Sequence, residues 1–242
     1  MTAIFFLLAF ISEVVGTIGG FGSSVFFVPL AAMFFSPKVV LGLTALFHVF
    51  SNLSKIYLFR EFINLKLLWR FGVPGVLGVA VGAIGSVYIT SAYSAVILGA
   101  FLLGFAALFL LRPQLQIPPT KNNAVIGGSA SGFFAGLIGT GGALRGAVMA
   151  SYNLEKSVFV ATSAAVDMGI DLTRSVIYLG NDYVDMNDAW YLPGLILVSF
   201  AGSFVGKYIL GFMSQDQFRK VVLVLIGIIG LVSILHYLYF LK

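Results

Sequence analysis

Six apolar runs of membrane-span length follow one another along the chain, near 39–59, 68–88, 92–111, 157–179, 189–211 and 218–240. The polar linkers between them stay within roughly a dozen residues, ordinary loop lengths. A helix needs about 20 apolar residues to cross a bilayer, so these runs leave no room for a soluble domain. Composition agrees: 60% of residues are hydrophobic, 10% are charged and the mean hydropathy is +1.04. In water such a chain would expose large apolar patches and aggregate. In lipid it is well matched, because helices satisfy their own backbone hydrogen bonds. The 28 glycines suit close helix packing and interrupted helices, and the 24 phenylalanines suit a lipid-facing surface. The first stretch, Thr2 to Ile18, lacks a basic leader and carries Glu13, so it is expected to be a retained membrane segment rather than a signal peptide.

Two apolar regions depart from the single-span template. Residues 2–36 are interrupted by Gly19-Gly20-Phe21-Gly22, and residues 124–154 by Gly139-Thr140-Gly141-Gly142. Each interruption is expected to leave two pieces short for a full span. Loop charge sets the expected orientation. Arg60, Lys66 and Arg70, then Arg112 and Lys121, then Lys207, Arg219 and Lys220 mark three cytoplasmic loops. The uncharged loop at 89–94 and the loop 181–188, with Asp182, Asp185 and Asp188, face outside. Counting crossings then requires each interrupted region to leave and return on one side, as a re-entrant hairpin or as two short crossings. Both termini come out external.

Three full spans follow each interrupted region, and three is odd, so the halves run in opposite directions. They also match in sequence: Gly16-Thr17-Ile18-Gly19 with Gly136-Leu137-Ile138-Gly139, Asn52-Leu53-Ser54-Lys55 with Asp171-Leu172-Thr173-Arg174, and Phe62-Ile63-Asn64 with Tyr183-Val184-Asp185. The expected fold is therefore an all-α polytopic membrane protein. It comprises two inverted-topology repeats, 1–115 and 116–242, each a broken helix pair plus three transmembrane helices. Interrupted helices in inverted repeats mark many secondary transporters, with the site near the bilayer midplane.

Two groups of residues carry the chemistry. At the glycine breaks a new helix begins near Ser23 and near Ala143. Its N-terminus offers unpaired N–H groups and about half a positive charge, which is an anion site. Gly20, Gly22, Ser23 and Ser24 belong to the first break; Gly141, Gly142 and Arg145 belong to the second. The second group lies on two full spans. His48, Asn52 and Lys55 share one helical face, and Asp167, Asp171 and Arg174 repeat that spacing. A lone charge inside a membrane costs about 2.5–3.5 kcal/mol on insertion scales, so these side chains turn inward. They form either a solute or proton path or a salt-bridge network that only fixes packing; Asp171 and Arg174, one turn apart, suit a plain pair. Glu13 faces the same cavity or sits near an interface. Gly75, Gly78 and Gly82, with Gly202 and Gly206, read as packing glycines. Trp69, Trp190, Tyr183 and Tyr191 read as interfacial anchors.

The run Gly16-x-x-Gly19-Gly20-x-Gly22 followed by Pro29-Leu30, its second copy Gly136-x-x-Gly139-x-Gly141-Gly142, and the loop Arg60-Glu61-Phe62-Ile63-Asn64-Leu65-Lys66 resemble the sulfite exporter TauE/SafE family of permeases. The resemblance covers almost the whole chain. It implies a bacterial cytoplasmic-membrane permease for small sulfur-containing anions such as sulfite, sulfoacetate or other organosulfonates, with proton coupling. Phe21, Thr140 and Arg145 stand outside the family pattern.

The expected function is transport of a small anion. The expected partners are that solute and the lipid bilayer, with a homodimer left open. The net charge of +5 sits mostly at span ends and marks topology rather than nucleic-acid binding. No cofactor and no metal is called for; the absence of cysteine removes thiolate sites, iron–sulfur clusters and thiol relays. A cation carrier is the nearest alternative, since Glu13, Asp167 and Asp171 balance Lys55, Arg145 and Arg174. An integral-membrane phosphatase needs clustered carboxylates with Ser, His or Arg at the membrane face, and the sequence shows no such cluster.

Overall fold

A computed structural model describes the backbone of residues 2–86, 91–112, 114–115 and 117–240. Among the described residues the regular structure is all helical. The first half holds α1 (Thr2–Gly19), α2 (Ser24–Ala31), α3 (Pro37–Phe59), α4 (Leu65–Gly85) and α5 (Ser91–Leu111). The second holds α6 (Lys121–Ile138), α7 (Gly142–Ser151), α8 (Lys156–Leu179), the short α9 (Met186–Ala189), α10 (Leu192–Gly211) and α11 (Gln215–Phe240). The start of the expected loop at 89–94 and the His236 side chain lie outside what is described.

The helix boundaries have local causes. Proline opens α3 at Pro37, where its missing N–H is harmless. The Asn64 side chain caps α4 by accepting from Leu67 N at 3.0 Å, and Thr120 caps α6 by accepting from Asn123 N. Gly139 ends α6 at φ +77°, and Gly20 and Gly22 turn the chain after α1 at φ +72° and +92°. These are left-handed conformations that glycine adopts at little cost. Of the described helices, α1, α3 with its following 3-10 turn, α4 and α10 are long and apolar enough to cross a membrane. Every 18-residue stretch of α8 holds at least three of Lys156, Asp167, Asp171 and Arg174, so α8 needs its charges sheltered by neighbours.

The bundle has two distinct ends. Lys207 Nζ donates to Leu58 O, Arg219 to Leu115 O and Gln215 Nε2 to Leu154 O, which gathers the basic loops at one end. At the other end Ser86 meets Tyr183, and Lys38 lies over the Tyr183 ring, beside the acidic loop 181–188. The 3-10 turn at Arg60–Phe62 packs on α8, where Asn64 N donates to Thr162 Oγ1. Asp182 follows the far end of α8, a helix of 24 residues, or about 36 Å.

Both interrupted regions are hairpins. The α1–α2 unit begins beside Tyr191, which touches Phe5, and returns there through Phe35. The α6–α7 unit returns to the basic end, where Ile117 N donates to Ser151 O. Of the pieces before the breaks, α1 is long and apolar enough to cross a membrane, contrary to the sequence expectation. α1 and α6 have 18 residues each, followed by α2 with 8 and α7 with 10. Glu13 does not interrupt α1 because its charge is paired inside the bundle.

Glycine lets the long pieces sit against full spans. A Cβ on Gly132 would lie 2.0 Å from Gly75 O, and one on Gly82 would lie 2.1 Å from Phe133 O, so α4 and α6 touch backbone to backbone. Gly202 and Gly206 of α10 receive Glu13 and Thr17 of α1 in the same way. Trp69 and Trp190 are exposed, as anchors should be. Tyr183 is not an anchor: it is buried and stacks on Tyr178 at 4.9 Å, because the end of α8 turns it back under Lys38. Tyr191 is half-buried against Phe5 and Phe35.

Candidate functional site

The centre of the bundle is the seam where α3 meets α8, closed by the two hairpin tips. Seven ionisable side chains converge there, all buried: Glu13 from α1, His48 and Lys55 from α3, Arg145 from α7, and Asp167, Asp171 and Arg174 from α8. Asp167 has the largest exposure of the seven, at 7%.

Each positive group has its own carboxylate. Lys55 Nζ lies 2.8 Å from Glu13 Oε1. Four hydroxyls also donate to Glu13: Ser23 at 2.6 Å, Ser51 and Ser203 at 2.8 Å, and Thr17 at 3.2 Å. Such a ring of donors is the environment of an ionised carboxylate, which only accepts. Arg145 grips Asp167 with both terminal nitrogens, donates through Nε to Ser163 at 2.8 Å and reaches Phe21 O at 2.8 Å. Arg174 Nε donates to Asp171 Oδ1 at 2.7 Å, and its Nη1 donates to Gly139 O at 2.9 Å. Asn52 Nδ2 donates to Asp171 Oδ2 at 2.6 Å. The formal charge of the cluster is zero with His48 neutral. Buried charges are tolerated on these terms, paired and with their remaining positions hydrogen-bonded.

His48 joins the groups. Its Nε2 is 3.0 Å from Ser23 Oγ, and its Nδ1 is 3.8 Å from Asp171 Oδ2. The plain Asp171–Arg174 pair foreseen from their spacing is present, yet the same carboxylate also contacts α3 through Asn52.

The helix tips meet beside this cluster. A Cβ on Gly22 would lie 3.3 Å from Asp167 Oδ2 and 3.9 Å from both Arg145 and His48, so the bare backbone there faces the charges. Gly142 presses on Phe21 O. The first helical backbone bonds at the two tips are made by Phe26 and Arg145. The N–H groups of Ser24 and Val25 in α2, and of Gly142, Ala143 and Leu144 in α7, precede them with no acceptor among the described residues, although all five residues are buried. Buried helix ends without partners are rare. Thr140 Oγ1, in the second break, is likewise buried without a partner.

The sequence-derived site residues thus divide in two. Gly22, Ser23, His48, Asn52, Lys55, Gly142, Arg145, Asp167, Asp171 and Arg174 come together, with Ser24 at the adjoining tip. Gly20 packs instead against Phe159 and Val160, and Gly141 against Ser131 O and Ala135, so both serve hairpin packing. Glu13 proves as central as any of them. Its signal was present as a carboxylate in an apolar run with Thr17 one turn on. Ser51 and Ser163 were legible too, one turn before Lys55 and Asp167. Ser203 carried no signal, because its contact with Glu13 depends on how α10 docks. Among the described residues no group of His and carboxylate side chains has the arrangement of a metal site.

The fold and this site define a polytopic helical membrane protein with a buried, charge-balanced centre at the tips of interrupted helices. The model of the sulfite exporter TauE/SafE family matches residues 5–233, and the chain belongs to that family. It is accordingly a multi-pass membrane protein of a transporter family rather than of an enzyme family. No curated protein and no solved structure gives a significant match.

Proposed function

We propose that the protein carries a small sulfur oxyanion or organosulfonate, such as sulfite or sulfoacetate, between the two hairpin tips. The carrying observation is the set of unpartnered, buried N–H groups on α2 and α7 beside Arg145. Two helix N-termini and a guanidinium suit a compact oxyanion. Because Lys55, Arg145 and Arg174 are already neutralised, an added anion is unfavourable at low dielectric unless a proton enters with it. Protonating Asp167, the most exposed carboxylate of the cluster, frees one face of Arg145 for the solute, so anion and proton travel together.

The two-repeat reading draws support from the packing. Exchanging α1 with α6, α2 with α7, α3 with α8, α4 with α10 and α5 with α11 turns the α1–α10 contact into α4–α6 and the α4–α8 contact into α3–α10. Residues 1–115 and 116–242 are then two inverted copies. With the basic end cytoplasmic, both termini are external in a bacterial inner membrane.

Proteoliposomes containing the purified protein test the reading. Labelled sulfite or sulfoacetate is expected to enter, and Arg145→Ala to reduce entry. Absence of flux and binding across sulfur oxyanions would defeat the proposal. Thermal stabilisation by Na⁺ with no response to anions would favour the cation carrier instead.

A further inference from the structure

The cluster contains a row of proton-bearing atoms, hydrogen-bonded at all but one link, that the anion site does not require. We propose that Glu13, Ser23, His48 and Asp171 form a proton relay through the first hairpin tip, with His48 as its shuttle. The inference rests on the permease reading above and adds a route for a proton through the cluster beside the Asp167 position.

The donor pattern sets the resting state. Glu13 is ringed by donors, so the single Ser23 hydroxyl proton goes to Glu13 Oε2, 2.6 Å away. Ser23 Oγ is then an acceptor, and the proton in its 3.0 Å contact belongs to His48 Nε2. That leaves the Nδ1 lone pair of a neutral imidazole facing Asp171 Oδ2 at 3.8 Å. Other charged groups around the ring are Lys55 on its own helix, Arg145 of α7, and Asp167 and Arg174 of α8. None of them interrupts the chain Asp171–His48–Ser23–Glu13.

Transfer along it balances. A proton on Asp171 passes to His48 Nδ1, the Nε2 proton passes to Ser23 Oγ, and the Ser23 hydroxyl proton passes to Glu13 Oε2. Asp171 becomes a carboxylate, Glu13 becomes a carboxylic acid, and His48 stays neutral with its proton moved from Nε2 to Nδ1. Every step reverses by the same contacts. The link at 3.8 Å is longer than a hydrogen bond, and Asn52 already donates to the same Asp171 oxygen, so the relay is open at that link until the ring or the carboxylate shifts. Ser23 is the residue before α2. A solute held by the α2 N–H groups therefore sits against the middle of the relay, which ties proton movement to occupancy.

The test reads protons taken up per sulfite moved in proteoliposomes, a ratio independent of rate. His48→Gln and Ser23→Ala are expected to lower the ratio, while Ser23→Thr, which keeps the hydroxyl, restores it. A merely structural or binding role would slow sulfite and protons together and leave the ratio unchanged, and that result overturns the relay. Nitrogen-15 NMR of the histidine rings supplies a readout that needs no solute and no transport-competent variant. The His48 signal, identified by its loss in His48→Gln, is expected to show a neutral ring protonated at Nε2. A charged ring, or one protonated at Nδ1 at rest, overturns the relay even where transport persists. If wild-type vesicles move no sulfite, the permease reading falls and the ring signal alone decides the relay.

Discussion

At the scale of single residues the protein is governed by charge neutralised in place. Lys55 is buried at 2% exposure against a fully buried Glu13, and removing one partner strands the other. Glu13→Gln is expected to destabilise the protein by about 3–5 kcal/mol, the usual effect of breaking a buried pair. Thermal unfolding in detergent reads this directly, and adding Lys55→Gln to it should recover part of the loss. Arg145→Lys is expected to behave nearly as badly in transport as Arg145→Ala, because a lysine keeps the charge but not the fork that holds Asp167, Ser163 and Phe21 O together. Sulfite flux at the wild-type rate in Arg145→Lys would show that charge alone suffices. Most of these residues were legible in the sequence, since an ionisable group in an apolar run stands out. Their partners were not. The helical spacing of Asp171 and Arg174 foretold that pair, but nothing local joins Lys55 to Glu13 or Asn52 to Asp171.

At the scale of elements the decisive devices are the glycine breaks and the glycine-lined seams. The positions of both breaks were readable, because only glycine enters left-handed conformations freely. The length of α1 exceeds what the break implied, since its 18 residues are long and apolar enough to cross a membrane, whereas α2 and α7, with 8 and 10 residues, are short as expected. The α4–α6 seam gives a clean comparison. Gly132→Ala would place a methyl 2.0 Å from Gly75 O, whereas Gly104→Ala in α5 would meet nothing within 4 Å. The first change is expected to cost about 1–3 kcal/mol by forcing the helices apart. The second should be neutral or stabilising by about 0.5–1 kcal/mol from helix propensity. Equal unfolding midpoints for the two variants would contradict the close contact.

At the scale of the whole molecule the bundle separates a basic end from an acidic end across the length of α8. The natural chain has no cysteine, so single cysteines at Arg60 and Asp182 report topology directly. They are expected to react with a membrane-impermeant maleimide from opposite faces of the membrane; labelling of both from one face would collapse the arrangement. The sequence by itself determined that the chain lives in lipid, where its helices break and which side chains are too costly to face lipid. These follow from hydropathy, the cost of burying charge and backbone sterics, all of which act over one or two helical turns. Only the tertiary structure decided that α3 meets α8, that Glu13 answers Lys55, and that Ser23 and His48 bridge two ion pairs. Those contacts join residues far apart in the chain, and their partners are chosen by how the helices pack together.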